Sequence, residues 1–495
     1  MEPDASSVAI LESVEQGSPP RVVRNAMFLV AAQAVVTPIA VLVNAIAARV
    51  LGPVDYGRMY LATTYATFAF LFVEWGQSAT LTGKVATHRE RAGELLGSGL
   101  VWRLAAALLV SVMLPAVCIL AGYDRAFILI ILLTLLITTL TTVASACQDV
   151  FRGFERTDFA AASYVGWQAL SALVSVPTLL LGGGLRALLS AQAVCAAAAS
   201  AFVLKMLPRM QVPKLVVRVA TLQELFWAGR AFLALGVVLA LQPMVDVAML
   251  SRFGSAAAMG WHAAARKLVG VLVYPGSALM VALYPTLCRL HKEDTGAFRQ
   301  TAATAFHLVS VAVIPIALAC ALFPDLGIMI FSKQSYGPAQ DNLRVLAVYV
   351  LLVYFSMPIG ACLASTGRQG AWAVLQGSCV LISAVFDPPL IGWFQAHWGN
   401  GGLGVCVSTA ASEILMVGGG LYLLPTGILD KDLVRKLAAA ILSGGAMALV
   451  ASLSVPLDSW ARASLAVSAY VVCLRLSGAV SWTGLRSMLG FVRRR

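Results

Sequence analysis

Eight ionisable side chains sit in stretches that are otherwise apolar: Glu74 in "FAFLFVEWGQSATL", Arg103, Arg230, Asp246, Arg266, Lys267, Asp387 in "VFDPPLIG" and Glu413 in "TAASEILM". An ionised group at the centre of a bilayer costs roughly 2.5–3.5 kcal/mol on insertion scales, so each must find an opposite charge or line a watered path. A carboxyl in such a place can take up a proton or a sodium ion, and an arginine fork matches phosphate oxygens. At 1.5 Å of rise per residue, Glu74 lies about 10 Å from the cytoplasmic end of its helix, and Arg103 and Arg230 about 6–8 Å from theirs. These three share a level and define an inner pocket. Asp246, Arg266 and Lys267 lie about 8–12 Å below the outer surface and form an outer cluster.

Two readings of these charges stand. In one, Glu74–Arg103 and Asp246–Arg266 are ion pairs tying helices together, while Lys267 and Arg475 reach toward headgroups. In the other they line a cavity of net positive charge that binds an anion, because Arg230, Arg266 and Lys267 exceed the carboxylates near them; Arg266 and Lys267 are then the anion anchors. Glu74 or Asp246 would couple transport to protons or sodium. For Asp387 and Glu413 the sequence names no partner, and Pro388-Pro389 predicts a local unwinding beside Asp387, tolerable only away from lipid.

Helical periodicity extends these points into stripes. Gln33, Thr37 and Asn44 share one face of the first span. Tyr56, Tyr60, Thr63, Thr67, Glu74 and Ser78 fall within a sector of about 60° of the second. Gln242 lies one turn from Asp246, and His262, Arg266, Ser277 and Tyr284 fall within about 80°.

The elements that carry these residues are membrane helices. Of 495 residues, 60% are hydrophobic and 12% charged, with mean hydropathy +0.85, well outside the range of a soluble domain. Fourteen spans of about 20 residues are expected, entering near residues 25, 57, 98, 126, 159, 185, 226, 259, 301, 339, 370, 402, 436 and 459. Roughly 22 Lys/Arg then lie inside, roughly 8 outside and about 5 within spans, which orients both termini to the cytoplasm. The first twenty residues have no positive n-region and read as a tail rather than a cleaved leader.

Several classes are set aside by the same residues. The net charge of +12 is scattered between spans and forms no nucleic-acid patch. Nine cysteines without a C-x-x-C pair or a histidine cluster read as apolar fillers, so no metal or cofactor is expected. "SATLTGKV" has Ser78 where a phosphate-binding loop needs glycine. Short outer connections leave no room for an enzymatic domain, and the chain is read as a non-enzyme.

An internal repeat aligns "NAIAARVLGPVDYGRMYLA" (44–62) with "VAMLSRFGSAAAMGWHAA" (247–264), setting Arg49, Gly52 and Gly57 against Arg252, Gly254 and Gly260. Six spans separate the copies, so both halves share an orientation, as in parallel-repeat transporters. The expected organisation is a tail (1–24), a six-helix lobe (25–207), a cytoplasmic linker (208–225), a second six-helix lobe (226–424), and two further helices with a basic tail (425–495).

The stretch 48–86, with Arg49, Leu51, Gly52, Tyr56, Gly57, Glu74 and Gly76, resembles the first hairpin of Wzx-type polysaccharide flippases of the multidrug/oligosaccharidyl-lipid/polysaccharide exporter (MOP) superfamily. Residues 245–290 resemble its second-half counterpart through Asp246, Gly254, Gly260, Ala264 and Pro285. The resemblance implies two lobes around a cavity lined by spans 1, 2, 7 and 8. It also implies an undecaprenyl-pyrophosphate-linked oligosaccharide, turned across the bacterial inner membrane for exopolysaccharide, capsule or O-antigen assembly. Basic residues (Arg103, Arg230, Arg266, Lys267) would hold pyrophosphate and amides such as Gln33 and Asn44 would meet sugars. The polyprenyl tail would stay in lipid, and the polymer-assembly machinery is an implied partner. Lipid II flippases and multidrug exporters of the superfamily are the alternatives, although residues 25–48 lack the carboxylate of one multidrug branch. A membrane polymerase, ligase or acyltransferase is a more distant one.

Overall fold

The computed structural model describes residues 19–331 and 334–477. Most of the expected N-terminal tail and the basic C-terminal tail lie outside the described residues. The described chain is helical, without strands: α1 (Pro19–Glu74), α2 (Gln77–Thr87), α3 (Ala92–Leu120), α4 (Arg125–Gly153), α5 (Thr157–Leu180), α6 (Gly184–Met206), α7 (Val219–Phe253), α8 (Ala256–Glu293), α9 (Thr295–Leu322), a short α10 (Pro324–Ile328), α11 (Ala339–Ser365), α12 (Gln369–Trp398), α13 (Gly402–Leu423), α14 (Lys431–Leu453) and α15 (Ser459–Leu476). Twelve stretches among the described residues are long and apolar enough to cross a bilayer. The first, Ala31–Thr87, has 57 residues, far more than one crossing needs, and it bends at Gly52 (φ 72°) into two. Counting that bend, thirteen crossings are present among the described residues, α15 lies where the fourteenth is expected, and the all-α polytopic reading is borne out. Large apolar side chains point outward, as at Leu108, Leu120, Leu181 and Leu442, the pattern of a surface solvated by lipid.

The helices form two compact units among the described residues: residues 19–43 with Ala69–Leu235, and Asn44–Phe68 with residues 236–477. In the first, Leu81, Val85, Leu96, Cys147, Val150, Phe151 and Leu225 build a core. In the second, Phe298, Phe306, Ile359, Cys362, Leu363 and Leu433 do so. All nine cysteines are free, seven of them buried.

Within the second unit the "RVLGPVDYG" turn has a mechanical role. Arg49 donates to the carbonyls of Met329 (2.9 Å), Ile330 and Phe331 (both 2.8 Å). Tyr56 packs 6.3 Å from both Phe331 and Tyr336, and the Tyr336 hydroxyl donates to Ala48 O. The two copies of the repeat touch: a Cβ on Gly57 would stand 2.7 Å from Gly260 N, and one on Gly260 would stand 1.9 Å from Pro53 O. Gly260→Ala is therefore expected to lower the melting temperature of the detergent-solubilised protein, at about 1–3 kcal/mol of strain. Gly270→Ala, on the same helix in open space, should stabilise slightly. Equal melting temperatures for the two variants would contradict the close approach.

In the first unit, residues 212–218 run extended along the first turns of α3. Val216 N donates to Gly93 O and Arg218 N to Ser98 Oγ, and a Cβ on Gly93 or Gly97 would meet Lys214 O at 2.4 Å or Val216 O at 2.6 Å. Glu94 accepts from Thr221 and pairs with Arg91 and Arg218, while Glu224 pairs with Arg91 and Lys84.

Candidate functional site

In the second unit Asp246 of α7 and Glu413 of α13 face the guanidinium of Arg266, and Asp387 of α12 adjoins Asp246. Asp246 of α7 is 3% exposed; its Oδ2 accepts from Thr409 Oγ1 of α13 at 3.3 Å, and its Oδ1 has no hydrogen-bond partner. Asp387 of α12, fully buried, lies beside the Asp246 carboxyl and the Ser408 hydroxyl, yet neither of its oxygens accepts a hydrogen bond. Asp246 is thus the partner that the sequence did not name for Asp387. α12 runs unbroken through Pro388 and Pro389, so the expected unwinding does not occur. The prolines act by chemistry instead, because without N–H groups they cannot donate to the carbonyls of Ala384 and Val385, one turn back.

Arg266 of α8 does not form the expected ion pair with Asp246. Its guanidinium lies 4.7 Å from the centre of the Tyr349 ring, its Nη1 is buried without a hydrogen-bond partner, and it stays within electrostatic reach of Asp246, Tyr60 and Glu413. Asp246 turns to Asp387 and Thr409 because α12 and α13 present them at its level. His262, one turn before Arg266, sits with Nδ1 3.6 Å from Cys406 Sγ. Lys267, one residue on and so about 100° around the helix, is exposed and pairs with no carboxylate among the described residues. Asn44 accepts from the Tyr56 hydroxyl at 3.4 Å.

The first unit holds the inner charges in a different arrangement from the one expected. Arg103 is 1% exposed and its ion partner is Asp149 (Nη2 to Oδ2, 3.3 Å), not Glu74. It also donates to Gln77 Oε1, Thr142 O and Ser145 Oγ. Asp149 accepts from Ser78 Oγ at 2.8 Å and lies 3.4 Å from Arg152. The cause is a break in the second span. α1 ends at Glu74, Trp75 and Gly76 take positive φ (49° and 66°), and α2 begins at Gln77, so Glu74 and Ser78 no longer share one helix face. A tryptophan at positive φ is strained. Its indole holds it there, donating to Phe226 O and stacking on the Phe226 ring at 4.7 Å, and Gly229 leaves room, since a Cβ there would meet Trp75 O at 1.9 Å. Glu74 is half-buried, within electrostatic reach of Arg103 and Asp149.

Asp149 is not among the charges that stand out in the sequence, because it sits near the charged end of α4, which continues to Gly153. The i, i+3 spacing of Asp149 and Arg152 was the available signal. Arg230 is exposed and rests on the Trp227 ring, 5.2 Å from its centre, apart from the Arg103 network. Gln33 Nε2 donates to Thr37 Oγ1 at 3.0 Å, one turn along the same stripe.

The fold is similar to that of several solved transporters. Lipid II flippase MurJ in an inward closed conformation superposes with TM-score 0.70, at 12% identity over 93% of this chain and 99% of that one. An inward-facing multidrug resistance MATE family transporter gives 0.64, at 14% identity over 78% and 93%. A MOP superfamily transporter from Pyrococcus furiosus gives 0.55, at 15% identity over 81% and 94%. At these identities the likeness is one of fold. No curated protein matches the chain. Residues 22–291, more than half of the sequence, match the family described as polysaccharide biosynthesis protein, and the chain belongs to that family.

Proposed function

We propose that this protein is a flippase that carries an undecaprenyl-pyrophosphate-linked oligosaccharide across the bacterial inner membrane by alternating access, delivering it to the machinery that assembles surface polysaccharide. Membership of the polysaccharide biosynthesis family carries the reading. The cargo's diphosphate suits a buried guanidinium with a donor to spare, and Arg266 is that group. Lys267 and Asn44 of the second unit, and Arg230, Gln33 and Glu74 of the first, are further residues proposed to meet the cargo, each within its own unit, while Arg103 stays in its buried network with Asp149.

Transport is coupled to a monovalent cation or proton at Asp246 and Asp387. Two adjoining buried carboxyls repel when both are ionised, and their unbonded oxygens are suited to a neutralising ion. Once the pair is neutralised, Arg266 loses a compensating charge and turns to the diphosphate, so each ligand raises the affinity for the other. Asp246→Asn and Asp387→Asn are each expected to slow translocation in proteoliposomes at least about tenfold, close to 1.4 kcal/mol, and to abolish its response to sodium and proton gradients. An unchanged response in both variants would exclude the coupling site.

Deleting the gene should stop surface polysaccharide while the lipid-linked repeat accumulates in the membrane, and re-supplying it should reverse both. The likeness to lipid II flippase MurJ across 93% of the chain favours a second reading, with lipid II as cargo. Vesicles offered both lipids decide: selective movement of lipid II would replace the first reading.

A further inference from the structure

We propose that the second unit holds a binding site for the phosphate of an acidic phospholipid headgroup, between the first turns of α9 and α14. A cavity of about 400 Å³ opens there, a size typical of ligand pockets. Arg299, Gln300, Thr304 and His307 form its α9 wall as one helix face, and Lys436 belongs to its α14 wall. Gly427, in the connection before α14, takes φ 87°, and a Cβ there would stand 3.2 Å from Nε, Cζ and Nη1 of Arg299. The glycine thus lets the guanidinium lie close against the connection, where it pairs with no carboxylate among the described residues.

Two acids also line the cavity, and each is already engaged. Asp430 caps α14, accepting from Leu433 N at 2.7 Å, and Asp432 pairs with Lys436 at 2.6 Å. Arg299, with Lys431, Arg435 and Lys436 of the first turns of α14, outnumbers these two acids. A phosphate ester matches what is left over: its oxygens accept from the guanidinium fork, from the Gln300 amide and from the ammonium of Lys436. Thr304 already donates to Gln300 O at 2.8 Å, which leaves its oxygen to accept from a headgroup hydroxyl.

Depth points to a lipid as the source. Spans entering near residues 301 and 436 put Arg299 and Lys436 at the headgroup level, while His307 lies about 9 Å further into the membrane along α9. The cavity therefore runs from the headgroup layer toward the apolar layer, and Ala303 and Leu433 also line it. A phospholipid carries its phosphate at that level and reaches the site without leaving the bilayer. The distribution of Lys and Arg assigns this end to the cytoplasm, and basic pockets between membrane helices on that side suit acidic headgroups. The bound phosphate has a mechanical effect. Helices α14 and α15 rest on α9, where a Cβ on Gly444 would stand 2.7 Å from Ile314 and the Tyr470 hydroxyl donates to Val311 O at 3.0 Å. A phosphate held by both Arg299 and Lys436 extends that contact to the inner end.

Thermal melts of the full-length protein in neutral detergent, titrated with phosphatidylglycerol, phosphatidylcholine or soluble glycerol phosphate, test this. Phosphatidylglycerol is expected to raise the melting temperature to a plateau, and the other two to leave it unchanged. Arg299→Gln should raise the half-saturating lipid concentration at least about tenfold, as loss of a charged hydrogen bond implies. Ala303→Leu, which fills the cavity and removes no charge, should do the same. Both variants should melt as the wild type does before lipid is added. Lys431→Gln, on the same turn of α14 but outside the cavity lining, should bind as the wild type. A loss in Lys431→Gln equal to that in Arg299→Gln, or a response to phosphatidylcholine, would reveal diffuse attraction to the surface and overturn the site. Wild-type binding by Ala303→Leu would overturn it too. Glycerol phosphate as effective as the lipid would assign the site to a soluble phosphate ester and end the lipid reading.

Discussion

Arg103→Leu is expected to leave little folded protein to purify. Arg103 is buried and makes four contacts, to Gln77, Thr142, Ser145 and Asp149. Its removal strands Asp149 inside the helix bundle with only Ser78 and the half-exposed Arg152 to answer it. Breaking one side of a buried pair costs about 3–5 kcal/mol, a large share of the roughly 5–15 kcal/mol that holds a domain folded. The double variant Arg103→Leu, Asp149→Leu removes both charges and should recover most of the loss, because the isolated carboxylate and not the missing bridge is the costly element. Size-exclusion profiles and thermal melts in detergent measure this. A single variant as stable as the wild type would show that water reaches Asp149.

Arg266→Ala should act in the opposite way, sparing the fold and ending transport. The side chain makes no ion pair within the unit, and the carboxyls it faces can be neutralised by a proton or cation, so its loss removes the contact with the Tyr349 ring rather than one side of a buried pair. A charged hydrogen bond to phosphate is worth about 1.5–3 kcal/mol, so affinity for a polyprenyl diphosphate should drop about 10–100-fold and surface polymer should disappear from cells that still insert the protein. Arg266→Lys keeps the charge but loses the fork and should fall between. Lys267→Ala, on a different face, should cost less. Normal polymer from a well-expressed Arg266/Lys267 double alanine variant would remove Arg266 from the cargo site.

The parts of this molecule that depend on local spacing were legible in its sequence. Apolar runs separated by charged connections gave the fourteen spans, and the glycine-containing turns at 52–57 and 254–260 marked the repeat. The contact between the two copies was not legible, because a repeat shows likeness and says nothing of contact. Asp246 and Arg266 could be placed at one depth by counting residues, but the turn of Asp246 toward Asp387 joins positions far apart in the chain, beyond the reach of any periodicity. The expected Glu74–Arg103 ion pair does not form for a physical reason: the arithmetic assumes a continuous helix, and Trp75 is not a residue type that announces a left-handed break. The prolines after Asp387 misled in the other direction, since α12 continues through them.

The segment from Val212 to Arg218 behaves as a ruler. Its backbone is seated on Gly93 and Gly97 and its end is clamped at Ser98 and Glu94, so the distance it measures is set in whole residues. Adding or deleting one residue there would put Arg218 out of register with its acid. A tag, protease site or fusion partner placed in this connection would find no slack, even though its lack of helix suggests a permissive loop.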